Sequence, residues 1–410
     1  MRSGVNQSQQ AQYRPLIKHA SPPIGFAVAL FGLLIITIRS AGNGTPVGVT
    51  LDQSRFMYSA GLIIAIAGLA LLRIHTRANY FITTTWLFFL WFGVCALIHS
   101  IPITYVQGCF LGISSATVVY FIYPFNPRLV RTLIGASIVL TAIASAALVL
   151  IMDIQGGGIA SRLGYQWAME LTEFNTPTAG AINPNELAFP AAVAFSIVMM
   201  MSSAREPKRS HFCRLAVLWF IGLLVVLTRS RGMQLACLAV IALAFSRPSH
   251  HFKRTLAMTV AGAMVVITAA LIVDLPDLAI LDVRTRFTNS DDSIQGLGGR
   301  SEIWQVAAEG LFNNPMIGCP LRTMEGDRIS AHNTLVAAAT MAGIPGLLLI
   351  SSLIIIPLQE SLRRRTNLCF PLLVVAVCGC TMDLLPNPLA WIVTGICVAE
   401  LRDQVRPRNG

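Results

Sequence analysis

Charge is what this sequence has least of. Only 12% of its 410 residues are Asp, Glu, Lys or Arg, about half the share of a soluble domain. Lysine is nearly missing: Lys18, Lys208 and Lys253 are the only three. With 54% hydrophobic residues and a mean hydropathy of +0.66, so little charge excludes an ordinary soluble fold. Pairable cysteine is also scarce outside the apolar blocks. Of nine cysteines, only Cys319 falls in a long polar loop, which excludes an intramolecular disulfide there. Cys378-Gly-Cys380 reads as membrane packing, with no histidine near it in sequence.

What is present is a series of apolar blocks near the ~20 residues a bilayer crossing needs. They fall at 22–38, 56–72, 81–98, 101–123, 129–152, 185–203, 214–228, 233–246, 255–275, 333–357, 368–383 and 386–401. The seventh, eighth, eleventh and twelfth are short. The expected fold is an all-α polytopic membrane protein with about twelve transmembrane helices, a single membrane domain over 1–410. Residues 1–21 are polar and the first block lacks a small-residue cleavage site, so that block is expected to stay in place.

Alternate connections are basic. They hold Arg2, Arg14 and Lys18; Arg73 and Arg77; Arg128 and Arg131; Arg205, Lys208, Arg209 and Arg214; Arg247, Lys253 and Arg254; Arg363, Arg364 and Arg365; and Arg402, Arg406 and Arg408. The positive-inside rule places these segments, with both termini, in the cytoplasm. The net charge of +11 is thereby assigned to topology, and no nucleic-acid partner is expected.

Two outer loops are long, at 153–184 and 276–332, and function gathers in such retained polar sequence. The basic residues outside the cytoplasmic set are all arginine: Arg39, Arg55, Arg162, Arg229, Arg231, Arg284, Arg286, Arg300, Arg322 and Arg328. Arginine suits bidentate contact with phosphate. Arg229 and Arg231 share the tight turn between the seventh and eighth blocks, a costly place unless they face a cavity or ligand.

In the second loop, Arg300-Ser301-Glu302-Ile303-Trp304 opens a predicted short helix along the membrane surface. Ser301 is its candidate N-cap, and Asn313-Asn314-Pro315 ends it. Asn333 is placed to cap the tenth span, whose N-terminus favours anions. His332 stands beside that start. Within the span, Gly343 and Gly346 allow close approach and Pro345 predicts a kink.

These residues resemble the O-antigen ligase and polysaccharide polymerase superfamily. His332-Asn333, nine residues, then Gly343-Ile344-Pro345-Gly346 fits its pattern of His, an amide or Ser, nine residues, Gly, two residues, Gly. Gly299-Arg300 with Trp304 is similar to its Gly-Arg-x-x-x-Trp segment. Ser230-Arg231-Gly232 is similar to its Ser-Arg-Gly turn, and Asn183-Pro184-Asn185 to a further recurrent segment. The resemblance covers about residues 180–357.

It implies a metal-independent glycosyltransferase of the bacterial inner membrane, with its active site on the periplasmic face and no cofactor. The donor would be an undecaprenyl-diphosphate-linked glycan and the acceptor a glycan or lipid A-core hydroxyl, among membrane lipids. Arg231 and Arg300 would hold the diphosphate, with Arg229, Arg286 and Arg322 as secondary candidates and Asn333 at the anion-favouring helix start. His332 would activate the acceptor or assist at the reacting centre. Asp291-Asp292 lacks the Asp-x-Asp spacing of nucleotide-sugar transferases, so no metal is expected. Some repeat-unit polymerases carry Arg, ten residues, Gly in both loops; here Glu173 and Leu311 stand at those positions after Arg162 and Arg300. That departure favours a ligase over a polymerase. The competing reading from another class is a secondary transporter or lipid flippase, and a third is a structural assembly protein. Nearly charge-free span centres and the lack of a repeat speak against transport.

Overall fold

The computed structural model describes residues 22–41, 51–72, 80–156, 184–201, 208–227, 230–246, 300–321 and 332–405. Among these the chain is all-α, without a strand. The helices are α1 (Pro22–Ala41), α2 (Leu51–Leu72), α3 (Tyr80–Ile98), α4 (Ile103–Ile122), α5 (Pro127–Gly156), α6 (Pro184–Met200), α7 (Lys208–Leu227), α8 (Arg231–Phe245), α9 (Arg300–Asn313), α10 (Thr334–Arg363), α11 (Cys369–Gly379) and α12 (Pro388–Val405). Eleven of the expected spans coincide with a helix; the ninth, 255–275, lies outside the described residues. Among the described residues five stretches are long and apolar enough to cross a membrane: Ile24–Ala41, Tyr80–Ile98, Ile103–Phe125, Pro127–Ser145 and Thr334–Arg363. Apolar side chains on their outer faces, such as Leu90, Leu97 and Leu348, are exposed, which suits a lipid-facing surface.

Small residues set the helix spacing. α1 and α2 run antiparallel, Gly32 against Gly61 and Ala65, and Gly68 against Ala29. α12 lies parallel to α4, with Gly108 at Pro386, Gly112 at Trp391 and Gly395 at Ala116. α6 forms the centre: Ala188–Met199 are buried throughout.

The two ends of the bundle differ. At one end the first turns of α5 meet the last turn of α12. Glu400 accepts from Tyr123 at 2.9 Å and from Arg131 at 2.8 Å, and Arg402 stacks over the Tyr120 ring. Arg364 donates to the Leu401 carbonyl and Asn367 to that of Met200. This end gathers Arg128, Arg131, Arg214, Arg363, Arg364, Arg365 and Arg402. The opposite end holds the connections around 99–102, 230–233, 314–318, 332–334 and 380–387, joined by the contacts described below.

α10 departs most from expectation. The sequence predicts one span with a kink at Pro345. Instead the chain breaks at Gly343, whose φ of 65° and ψ of −163° lie outside any helix. A Cβ on Gly346 would stand 3.1 Å from the Ala338 carbonyl, whereas residues eight apart in a straight helix are separated by about 12 Å. The limbs 334–342 and 344–363 are therefore folded against each other. Pro345 sits in the first turn of the second limb, where a missing N–H costs nothing. One loop boundary shifts: α5 runs to Gly156, into the segment expected to be loop from 153; α9 begins at Arg300, where the sequence opens it. Ser301 is consequently inside that helix and is not its N-cap.

Candidate functional site

The site is built around the start of α10. Asn333 is extended, and its Oδ1 accepts from the amides of Leu335 and Val336 at 2.9 and 3.1 Å. These bonds satisfy two of the four N–H groups that a helix start leaves open. Its Nδ2 donates to the Cys380 carbonyl at 3.1 Å. Thr334 continues the seam: its hydroxyl donates to Met382 O at 3.0 Å and accepts from Leu384 N at 2.9 Å. The entry to α10 thus lies along the 380–384 connection between α11 and α12.

His332 immediately precedes this seam. It is exposed, and its φ of 47° is left-handed, a conformation uncommon outside glycine and found at functional sites. The cap on one side and the Cys380 tie fix the backbone that carries the imidazole.

The turn of Ser230-Arg231-Gly232 reaches the same connection from the other side. Arg231 is the first residue of α8, with Ser230 extended before it. A Cβ on Gly232 would collide with the Cβ and hydroxyl of Thr381, so glycine at this position is required by the close approach of α8 to the connection. Met233 next along touches Cys378. Gly232 and Asn333, the chain neighbours of Arg231 and His332, thereby meet at Cys380-Thr381, although they are 101 positions apart in sequence. The described part of Arg231 is its backbone.

Arg300 opens α9, and again its backbone is what is described. α9 packs against α10. Past its end, Asn314–Gly318 fits into the fold of α10. Pro315 O accepts from Ile344 N at 2.8 Å, and His99 donates to Ile317 O at 3.0 Å. Trp91 donates to Ala342 O at 2.8 Å. Arg229, Arg286 and Arg322, with most of both long loops, lie outside the described residues.

The spacing of the His332 motif now has a physical account. Asn333 caps, the nine residues Thr334–Ala342 form the short limb, Gly343 makes the fold and Gly346 admits the returning helix. Asn333, expected at the anion-favouring helix start, has both ends of its amide engaged by the fold.

α11 is short: its eleven residues rise about 16 Å, and the 380–384 connection that follows meets the first turn of α4, where Tyr105 stands. Below it, Thr334, Ile350, Leu353, Ile354, Leu384 and Trp391 line part of a small, mostly apolar cleft.

Sequence reasoning did not single out Asp383 and Tyr105. Tyr105 donates to Asp383 Oδ2 at 2.6 Å, and Asp383 Oδ1 accepts from Leu385 N at 3.1 Å. The signal available was that Asp383 is the one acid between Glu360 and Glu400. Among the described residues no cluster of His, Cys, Asp and Glu has metal-binding geometry. No protein-family model matches the chain, and no curated protein matches it by sequence.

Proposed function

We propose that this chain is a multi-pass inner-membrane glycosyltransferase that moves a glycan from undecaprenyl diphosphate to an acceptor hydroxyl. On this reading it crosses the membrane about twelve times, with both termini cytoplasmic. The basic end of the bundle faces the cytoplasm and the His332 end faces the periplasm. The observation that supports the reading is the approach of Gly232, next to Arg231, and of Asn333, next to His332, to one short segment, Cys380-Thr381, at the end opposite the arginine-rich one. Diphosphate leaving groups gain negative charge as the glycosyl bond breaks, and fixed guanidinium groups stabilise that charge in a site of low dielectric. A histidine titrating near neutrality takes the acceptor proton. Direct displacement inverts the anomeric carbon. The folded α10 suits the task, because its capped start fixes the backbone that carries His332 close to the Arg231 turn of α8.

The experiment is the surface-glycan profile of a strain lacking the chain. Long glycan accumulating on the lipid carrier identifies a ligase; accumulating single repeats identify a polymerase. Unchanged lipopolysaccharide and exopolysaccharide, with no build-up of carrier-linked glycan, would sink the reading.

A further inference from the structure

We infer that the end of α9 and the turn after it form a membrane-inserted edge of the protein, with Phe312 and Met316 in the acyl region of the leaflet on the His332 side; this rests on the membrane-spanning reading and not on the transferase one. Phe312 is 86% exposed and Met316 59%. Large apolar groups left this open together mark a contact surface. Their neighbours decide what that surface contacts.

Two ties fix those neighbours. Pro315 O accepts from Ile344 N at 2.8 Å, and a Cβ on Gly343 would collide with the Met316 carbonyl. Met316 therefore stands at the first turn of the second limb of α10. That limb leaves Ile344 and Leu348 exposed, within a stretch long and apolar enough to cross a membrane. On the other flank, His99 ties Ile317 to the end of α3, where Leu97 and Ile98 are exposed. Phe312 and Met316 are thus flanked by the exposed apolar side chains of two membrane-spanning helices, and the lipid that covers those covers them.

The middle of α9 has the opposite character. Gln305 and Glu309 are exposed, and Gln305 donates to Glu309 at 3.2 Å. These groups belong in water or among headgroups. A change from polar to apolar within two turns suits a helix that straddles the interface. The sequence lays the whole of α9 along the surface; the structure assigns insertion to its C-terminal end. The same Asn314–Gly318 turn receives the break at Gly343, so the bilayer holds the element against which α10 folds.

The test uses full-length protein in liposomes doped with a phospholipid that carries a photoactivated diazirine on its acyl chain. Tryptic cleavage after Arg300 and Arg322 releases 301–322 as one peptide, and fragmentation locates the adducts. Labelling at 312–316 should match that at 344–348 and exceed that at 305–309 by about tenfold, because only the apolar end lies below the headgroups. Phe312→Asn with Met316→Gln should cut labelling of 312–316 by about fivefold or more and leave 344–348 unchanged. If that variant does not fold, the wild-type map decides alone. Labelling of 312–316 by a water-soluble diazirine, with none from lipid, would make it a solvent-facing or partner-facing surface and overturn the inference. Lipid labelling of 312–316 that excess undecaprenyl phosphate abolishes would make it a site for the carrier, and the inference would again be wrong. If lipid labels neither 312–316 nor 344–348, the membrane-spanning reading of α10 falls with it.

Discussion

Asn333 donates to the carbonyl of Cys380 across 3.1 Å, and this one bond ties the start of α10 to the end of α11. Its own Oδ1 caps the helix. Asn333→Asp keeps an acceptor for the cap but sets a carboxylate against the Cys380 carbonyl. Transfer should fall by about tenfold or more, since breaking a buried hydrogen bond and opposing two acceptors costs about 1–3 kcal/mol. Asn333→Ala should in addition lower stability by about 0.5–2 kcal/mol through the lost cap. Thermal unfolding in detergent and a transfer assay on the same samples separate the two effects.

His332→Ala should abolish turnover and leave donor binding near wild type, as loss of a group acting only in the transition state does. The motive is its fixed, exposed, left-handed position beside the seam. Single-turnover transfer and donor binding at equal expression decide it. Turnover close to the wild-type rate would make His332 a helix-entry residue only.

Arg231→Lys and Arg300→Lys keep charge and lose the planar fork, so donor binding should weaken substantially in both. If only Arg231→Lys weakens it, the α8 turn alone supplies the phosphate contact. Normal binding by both variants would move the phosphate site to Arg286 or Arg322.

Gly343 holds a backbone conformation nearly exclusive to glycine. Its hydrogen also faces the Pro315 and Met316 carbonyls with no room for a methyl group. Gly343→Ala should destabilise by at least about 1–3 kcal/mol and should lower activity with it, because the fold of α10 sets where His332 stands. Wild-type melting temperature and activity in this variant would show that α10 is a simple bent span.

Topology gives an independent check. Cys319 and Cys380 are exposed at the same end of the bundle. A membrane-impermeant maleimide added to intact spheroplasts should label both Cys319 and Cys380. Cys213, at the other end, should react only after permeabilisation. Labelling of Cys213 from outside would invert the orientation and end the lipid-linked donor reading.

The sequence by itself determined the class and the ends of most elements. Low charge and long apolar blocks leave helices as the economical way to satisfy backbone groups in lipid. Asn333 as a cap, Asn313-Asn314-Pro315 as the stop of α9, and the turn at Arg231-Gly232 follow from local chemistry, and all three are where the sequence put them. Local chemistry could not say that α10 folds back at Gly343. The composition of 333–357 suits a straight span, and the fold is held by partners distant in sequence: Pro315 and Trp91. Nor could it find Asp383, whose meaning depends on Tyr105, 278 positions away. The short length of α11 was visible, but its consequence was not. Only packing decided that an eleven-residue helix would end beside Asn333 and Gly232. Hydropathy records how much apolar surface each segment must bury; which polar groups then meet depends on the close approach of small residues from separate helices, a property of pairs of segments that no single segment contains.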